Sequence, residues 1–188
     1  MRIIAGKMKG LSIKAVPGHS TRPTTDKVRE SIFNMIGPYF QNEVGLDLYA
    51  GSGALGIEAL SRGFSKVIFV DRDYKAVQTI NENLKRSHFK ENAEVYRNDA
   101  KIALKALKKR NIFFSYIFLD PPYNKTTVSD IETIQSFGLL SHSGRIIVEH
   151  AKEFELHNQI GEIVRTKYET YGSTSISIFS YKMNTRGI

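Results

Sequence analysis

The chain has 188 residues and a formal net charge of +8; 41% of its residues are hydrophobic, 24% are charged and none is cysteine. This length predicts one domain with at most a small extension, since domains usually hold about 100–200 residues. The composition excludes a disordered or collagen-like chain, and the missing cysteines exclude disulfides, thiolate zinc sites and a cysteine nucleophile. Because no apolar run resembles a membrane helix or a secretory signal, we expect a cytoplasmic protein.

The first predicted elements are a basic hairpin and a helix. Residues 2–16 have the pattern of two short strands around a turn that contains Gly10. After a proline-containing loop, Thr24 or Thr25 caps a helix that ends at Gly37. These elements precede a region with a different rhythm.

From residue 41 onward, apolar strands alternate with helices. Strands are predicted at 44–49, 66–70, 93–96, 116–119 and 145–148, and a helix follows each of the first four. Near-continuous apolar strands separated by helices indicate a parallel sheet that is covered on both faces. Two alternating segments, 163–168 and 175–181, predict an antiparallel pair at the end. The fold class is therefore α/β with a Rossmann-like, mostly parallel sheet, and ligands are expected beyond the carboxyl ends of its strands.

The positive charge is concentrated in two blocks. Residues 1–31 carry a net charge of +5 and residues 85–110 a net charge of +6, against +8 for the whole chain. Two basic blocks on a near-neutral body favour a polyanionic partner, most often nucleic acid. A solvated lysine-rich surface is the alternative interpretation.

A glycine-rich turn follows the strand at 44–49. Gly51 and Gly53 allow a tight turn and close backbone approach, and Gly56 lets the next helix pack on the strand. Together with Tyr49, Ala50 and Ser52 these glycines form a predicted cofactor loop. The spacing fits a dinucleotide as well as an adenosyl ligand, and a plain tight turn would also produce it.

Acidic residues accompany the first three strands of this region. Asp71 follows the second strand, where a carboxylate can accept both ribose hydroxyls, and Asp99 follows the third, where it could accept the adenine amino group. Asp47 precedes the glycine loop, where a carboxylate would repel a pyrophosphate and suit a ligand amine. Three acids therefore favour S-adenosylmethionine, which is cationic and carries no phosphate, with Arg72 and Asn98 beside it. Asp71 and Asp99 could alternatively be helix N-caps.

The fourth strand ends in the sequence Asp120-Pro121-Pro122-Tyr123. The two N–H groups of an amine on a planar base could donate to the Asp120 carboxylate and to a proline carbonyl, which would aim the nitrogen lone pair at a methyl group. Tyr123 could stack on the base. This motif therefore predicts the catalytic site of an amine methyltransferase, which works mainly by holding its reactants in line. The alternative is a proline turn that only ends the strand.

These motifs together resemble the class I S-adenosylmethionine-dependent methyltransferases. Over essentially the whole chain, and most specifically over residues 22–33, the sequence is similar to the RsmD family of bacterial 16S ribosomal RNA (guanine-N2)-methyltransferases. The resemblance implies that Asp47 and the glycine loop hold the methionine part of the cofactor, Asp71 the ribose and Asp99 the adenine. It also implies that four residues of the N-terminal region contact RNA: Arg22, Thr24, Lys27 and Arg29.

The resemblance assigns residues 1–40 to an RNA-binding extension and residues 41–188 to the methyltransferase core. The expected partner is small-subunit ribosomal RNA or its assembly particle, with no membrane and no obligate protein partner. The five histidines show no metal-ligand spacing, so no metal is expected. Glu149 and His150 are expected to be a packed or surface pair, with a substrate role as the alternative.

Three other functions remain open at this point. A DNA adenine-N6 methyltransferase could use the same catalytic motif, although the chain leaves no room for a separate target-recognition domain. An NAD-dependent oxidoreductase could use the same glycine spacing, although Asp47 argues against it. A non-catalytic RNA-binding module is the third.

Overall fold

The computed structural model describes residues 1–18, 25–121 and 126–182. The strands are β1 (Val44–Leu48), β2 (Lys66–Asp71), β3 (Ala93–Arg97), β4 (Phe114–Leu119), β5 (Leu140–Ala151), β6 (Gln159–Ile160), β7 (Ile163–Tyr171) and β8 (Thr174–Tyr181). The helices are α1 (Asp26–Ile36), α2 (Ala54–Ser61), α3 (Tyr74–Arg86), α4 (Ala100–Lys109) and α5 (Thr127–Ser136), and a short 3-10 helix at Lys90–Asn92 precedes β3.

The eight strands of the described residues form one sheet in the order β3-β2-β1-β4-β5-β8-β7-β6. The first five strands in this order are parallel, β8 is antiparallel to β5, and β7 is antiparallel to β8. The predicted fold class and the predicted antiparallel pair are therefore confirmed. The prediction missed β6, which has only two residues. It also missed the first residues of β5, because 141–144 contain no apolar side chain to mark a strand.

Strand alternation divides the apolar side chains between two layers. Phe69, Phe118 and Ile147 face one side, where they pack with the N-terminal segment and with α1, α2 and α3. Leu48 and Val70 face the other side, where they pack with α4 and α5. No helix of the described ranges has both the length and the hydropathy needed to cross a membrane.

The N-terminal segment is a hairpin with a single bridge, between Arg2 and Ser12, instead of the two strands that were predicted. Ile3 and Ile13 are buried in the same core as α1. Gly6 has a φ of 83°, and a Cβ atom at this position would lie 1.8 Å from the Ser61 carbonyl oxygen. The hairpin therefore packs directly on the end of α2, while the proposed division of function at residue 40 stays a prediction.

A buried charge cluster joins this hairpin to α1 and α2. The Glu58 carboxylate accepts the N–H groups of Ile4 at 2.8 Å and Ala5 at 3.0 Å. The same carboxylate pairs with Arg62 at 2.7 Å and with Arg29 at 3.7 Å, and Glu58 and Arg29 are completely buried. Two further partners of Arg29 are the Arg2 carbonyl oxygen and the Asp26 carboxylate.

Candidate active site

The site lies where β2, β1 and β4 end and where the pairing of β5 with β4 ends. The parallel register aligns Leu48 of β1 with Val70 and Leu119, and Leu119 with Val148. One residue beyond these aligned positions stand Asp71, Tyr49, Asp120 and Glu149. Four residues that are distant in sequence therefore meet at one edge of the sheet, as the rule for parallel sheets predicts.

Backbone hydrogen bonds hold the glycine loop after β1. The N–H groups of Tyr49 and Ala50 both donate to the Val70 carbonyl oxygen, at 3.1 and 3.0 Å, and the Gly53 N–H donates to the Ala50 carbonyl at 2.7 Å. The Gly51 N–H donates to the Asp71 carboxylate at 2.8 Å. This last bond, which the sequence did not reveal, ties the loop to the end of the neighbouring strand.

The glycines of the loop have different roles. Gly51 and Gly53 have φ values of 55° and 78°, in the left-handed region that the sequence predicted. A Cβ atom on Gly56 would lie 2.3 Å from the Phe69 ring, so this glycine does allow α2 to pack on the sheet. A Cβ atom on Gly51 would meet no atom within 4 Å, which leaves space for a ligand beside the loop.

We expect Gly51→Ala to weaken the binding of S-adenosylmethionine at least tenfold, because the added methyl group would occupy this open space. The matched control is Gly138→Ala, since Gly138 also has a left-handed φ, 63°, and also has no neighbour within 4 Å, but follows α5. Both substitutions carry a similar backbone strain, roughly 1–2 kcal/mol. Calorimetric titration compares the two; an equal loss of affinity in both variants would contradict a ligand at Gly51.

Asp47 is buried beside the glycine loop, and only 2% of its surface is exposed. Its carboxylate accepts the Gly56 N–H at 3.0 Å. Burial raises the pKa of Asp47 to about 7; the Gly56 hydrogen bond opposes this shift and the nearby Asp71 carboxylate adds to it. A buried acid of this kind suits a cationic ligand group, which would favour its ionised form.

This pKa predicts a pH dependence of cofactor affinity. Below pH 7 the free Asp47 carboxyl is protonated and must lose its proton to pair with an ammonium group, so affinity should fall up to tenfold per pH unit between pH 7 and 5.5. Asp47→Asn should bind more weakly and remove this slope. Because the pKa of Asp47 is raised in the folded protein, the fold loses stability as the pH rises from 3.8 to about 7, and this loss is complete at pH 8. The variant lacks this cost and should therefore not unfold more easily at pH 8. Calorimetry at several pH values tests the slope; the same slope in both proteins would refute it.

Asp71 and Asp99 differ in their local roles. Both Asp71 oxygens accept backbone N–H groups, from Gly51 at 2.8 Å and Asp73 at 2.9 Å, and Asp73 is the residue that caps α3. Asp99 is itself the N-cap of α4 and accepts the Lys101 N–H at 2.9 Å. The alternative interpretation as a helix cap is therefore wrong for Asp71 and correct for Asp99, whose role towards adenine stays a prediction.

Arg72 and Asn98 lie at the ends of β2 and β3. The Asn98 N–H donates to the Asp71 carbonyl oxygen at 3.0 Å, and the Arg97 guanidinium donates to the Arg72 carbonyl oxygen at 3.3 Å. Arg72 also lines a cavity of about 440 Å³ with Tyr74 and Arg97. These contacts join the ends of β2 and β3, and a role of Arg72 and Asn98 towards the cofactor stays a prediction.

Asp120 follows β4 on the face that also carries Asp47. Its carboxyl group is surrounded by protein on most sides but remains accessible to solvent. Desolvation of the Asp120 carboxyl group is the main cause that raises its pKa well above the usual range. The negative charges of Glu149 and Asp47 raise this pKa further. Pro121 is buried, whereas Pro122 and Tyr123 lie outside the described residues.

The sequence prediction did not include Glu149 among the site residues. The sequence did place Glu149 directly after the predicted strand 145–148. In the structure it stands opposite Asp120, one residue beyond the aligned pair Leu119 and Val148. His150 is buried, as a packed histidine would be, and its Nε2 lies 2.9 Å from the Ser177 hydroxyl. Burial lowers the pKa of His150. Within the described residues, no group of histidines and acids is arranged to hold a metal ion.

The side chain of Tyr49 does not face the cofactor site, although the sequence predicted Tyr49 to be part of the cofactor loop. Its φ of 71° turns the side chain away from the cofactor face and towards α5, where its hydroxyl donates to Asp130 at 2.7 Å. The backbone of Tyr49 remains in the glycine loop, but its ring packs with the α4 and α5 layer.

The residues expected to contact RNA differ in their exposure to solvent. Lys27 is exposed on α1, whereas Arg29 is completely buried in the charge cluster with Glu58. Arg29 therefore does not present its side chain to RNA, which corrects that expectation. Arg22 and Thr24 lie outside the described residues.

The second basic block, residues 85–110, is divided between the two faces of the sheet. Its first residues end α3 on one face of the sheet, and its last residues end α4 on the other face. A helix of ten residues is about 15 Å long. Lys108 and Lys109 therefore lie near the edge of the sheet opposite to the candidate site.

Comparisons with known proteins agree on one family. The family described as "Conserved hypothetical protein 95" matches residues 1–180. The Bacillus subtilis protein named "Putative rRNA methyltransferase YlbH" is 56% identical over 180 residues, which cover 95% of this chain and 98% of that protein. Ribosomal RNA small subunit methyltransferase D of Escherichia coli K12 is 32% identical over 154 residues, 81% of this chain and 76% of that protein.

A solved structure gives the same result for the fold. The structure named "Putative methyltransferase yhhF from Escherichia coli" is 28% identical and superposes with a TM-score of 0.83, covering 97% of this chain and 98% of that one. This similarity extends over nearly the full length of both chains.

Proposed function

We propose that this chain, which belongs to the RsmD family of class I methyltransferases, transfers a methyl group from S-adenosylmethionine to the N2 amine of a guanine in small-subunit ribosomal RNA. The observation that supports this most directly is the convergence of Asp47, Asp71 and Asp120 beside a glycine loop with an open side at Gly51. Because the substrate is ribosomal RNA, we place the reaction in the cytoplasm.

The residues present fit S-adenosylmethionine. Asp47 would pair with its amino group, since a buried carboxylate with a raised pKa gains most from a cation. Each Asp71 oxygen accepts one backbone N–H and keeps a second lone pair, so the two oxygens could accept the two ribose hydroxyls. Asn98 and Asp99 would meet the adenine. When bound, this cofactor supplies an electrophilic methyl group on a sulfonium.

Asp120 would position the amine and receive its proton. The ionised carboxylate accepts one N–H of the target amine, which holds the nitrogen lone pair in the direction of the methyl group. Formation of the nitrogen–methyl bond would break the sulfur–methyl bond and leave S-adenosylhomocysteine, and the nitrogen, then positively charged, would lose a proton. A carboxylate whose pKa has been raised by burial and by Glu149 is a suitable acceptor for that proton.

The choice of guanine rests on the resemblance to the family alone. An aspartate at this position recognises an amine and does not distinguish N2 of guanine from N6 of adenine. The Escherichia coli relative is named for small-subunit ribosomal RNA. The net charge of +5 on residues 1–31 supports an RNA partner, because basic residues attract the phosphates of RNA.

Product analysis tests this proposal. The protein is incubated with labelled S-adenosylmethionine and, in parallel, with small-subunit particles from cells that lack the enzyme, with the naked RNA of those particles and with duplex DNA. The nucleosides are then separated and identified by mass. We expect N2-methylguanosine from RNA or particles only. N6-methyladenine from DNA, or no methylated nucleoside in any tube, would refute the proposed reaction.

A further inference from the structure

Asn83 is a polar residue on the buried face of α3. It shares this face with Ala76, Ile80 and Leu84, and its own surface is 0% exposed. A buried amide is unfavourable unless its polar atoms are hydrogen-bonded. The partners of the Asn83 side chain therefore indicate why an asparagine stands among apolar residues at this position.

The Asn83 amide makes three hydrogen bonds to two backbone segments. Its Oδ1 accepts the Lys14 N–H at 2.8 Å, and its Nδ2 donates to the Lys14 carbonyl oxygen at 2.9 Å. The same Nδ2 donates to the Ser52 carbonyl oxygen at 3.0 Å. One donor and two acceptors therefore surround this side chain, and an amide offers the matching set of one oxygen and two N–H groups. An ionised aspartate or a leucine of similar size could not make these three bonds.

The bond to Ser52 fixes a peptide group in the middle of the cofactor loop. Asn83 holds the oxygen of the peptide that joins Ser52 to Gly53, and the Ala50 carbonyl holds its N–H at 2.7 Å. Glycines with left-handed φ values precede and follow Ser52, so the loop itself offers little resistance to rotation of this peptide. The shape of the loop beside the open side of Gly51 therefore depends on a contact from outside the loop, which Asn83 supplies.

The N-terminal segment orients the Asn83 amide. If the amide were rotated by half a turn, its oxygen would face the Ser52 and Lys14 carbonyl oxygens and its N–H groups would face the Lys14 N–H. Lys14 thus selects the orientation in which an N–H points to the cofactor loop. The preceding residue, Ile13, is buried in the core and anchors the segment. One side chain of α3 therefore joins the N-terminal segment to the cofactor loop.

We propose that Asn83 is a positioning residue for cofactor binding, whose amide holds the Ser52 carbonyl and keeps the cofactor loop in the shape that receives S-adenosylmethionine. Asn83 acts through the loop and is not placed in contact with the cofactor. The inference rests on the proposed function for the identity of the ligand, whereas the hydrogen bonds that carry it lie within the chain.

The binding test compares two substitutions of Asn83. Asn83→Ala removes all three bonds, and Asn83→Asp keeps an acceptor for the Lys14 N–H but loses both donors. We expect each variant to bind S-adenosylmethionine at least tenfold more weakly in calorimetric titration, while kcat at saturating cofactor changes less than threefold. Sucrose in the buffer keeps a weakened variant folded. Unchanged affinity in the folded variants, or a loss confined to kcat, would overturn the proposal.

Ser87→Ala is the matched control for a general loss of stability. Ser87 is also 0% exposed, and its hydroxyl donates to the Asn83 carbonyl oxygen at 2.8 Å within the last turn of α3. This substitution therefore removes a buried hydrogen bond next to Asn83 and leaves the Asn83 side chain in place. We expect its cofactor affinity to stay within twofold of the unchanged protein. A loss equal to that of Asn83→Ala would assign the effect to stability and overturn the positioning role.

Amide hydrogen exchange in the ligand-free protein provides a readout that needs neither cofactor nor RNA. The Gly53 N–H should exchange at least fivefold faster in both Asn83 variants than in Ser87→Ala. The Lys14 N–H should lose protection in Asn83→Ala and keep it in Asn83→Asp, because only the aspartate retains an acceptor. Unchanged exchange at Gly53 would overturn the proposal. An unchanged protein that binds no S-adenosylmethionine would refute the proposed function instead, whatever the exchange rates are.

Discussion

Asp120→Ala is expected to lower kcat roughly 10²–10³-fold, the loss that follows removal of one well-placed hydrogen-bonding group from a site. The affinity for S-adenosylmethionine should stay within about threefold, since Asp47 and Asp71 hold the cofactor in our proposal. Single-turnover methyl transfer and calorimetric titration measure the two quantities. A variant that retains its turnover would refute the role of Asp120.

Loss of folding does not explain that result. The pKa of Asp120 is raised, so its ionisation destabilises the folded state at neutral pH, and the alanine variant should be at least as stable at pH 8. Glu149→Gln serves as a second test, because Glu149 is one cause of the raised pKa. We expect the acidic limb of its pH–rate profile to move to lower pH, while an unmoved limb would show that Glu149 does not affect the titration of Asp120.

The buried charge cluster gives the largest expected effect on stability. Glu58→Gln should lower the free energy of unfolding by about 3–5 kcal/mol, because it leaves the buried Arg62 guanidinium without a carboxylate and removes one of the two carboxylates that pair with Arg29. Arg29→Met should have a smaller effect, since Glu58 keeps its 2.7 Å pair with Arg62 and since two nitrogens of Arg29 have no hydrogen-bond partner. Urea denaturation measures this order, and a fully stable Glu58→Gln protein would contradict it.

Lys27 is the control for the RNA role of α1. It is exposed on the same helix as Arg29, so Lys27→Ala should leave stability nearly unchanged. If Lys27 contacts a phosphate, its removal should reduce the slope of log affinity against log salt by about 0.7–0.9. Folded Arg29→Met should keep the original slope. A reduced slope in Arg29→Met and an unchanged slope in Lys27→Ala would show that Arg29, and not Lys27, contacts RNA.

The position of Arg29 shows where sequence interpretation can fail although the signal is present. Residues 29, 32, 33 and 36 share one face of α1, at the spacing of an apolar helical stripe, and all four are buried. The charge of Arg29 suggested an exposed RNA contact, whereas its position in the helical repeat indicated burial. The compensating partner, Glu58, is 29 residues away and could not be recognised from α1 alone.

The amino-acid sequence by itself determined the alternation of strands and helices, the left-handed glycines of the cofactor loop and the acids at the strand ends. These features depend on local properties, namely hydrophobic period, backbone freedom and the termination of strands. Only the tertiary structure decided that Tyr49 turns to Asp130, 81 residues away, and that Glu149 lies beside Asp120. Such contacts depend on strand order and on the packing of helices on two faces, and these are set by the whole chain at once.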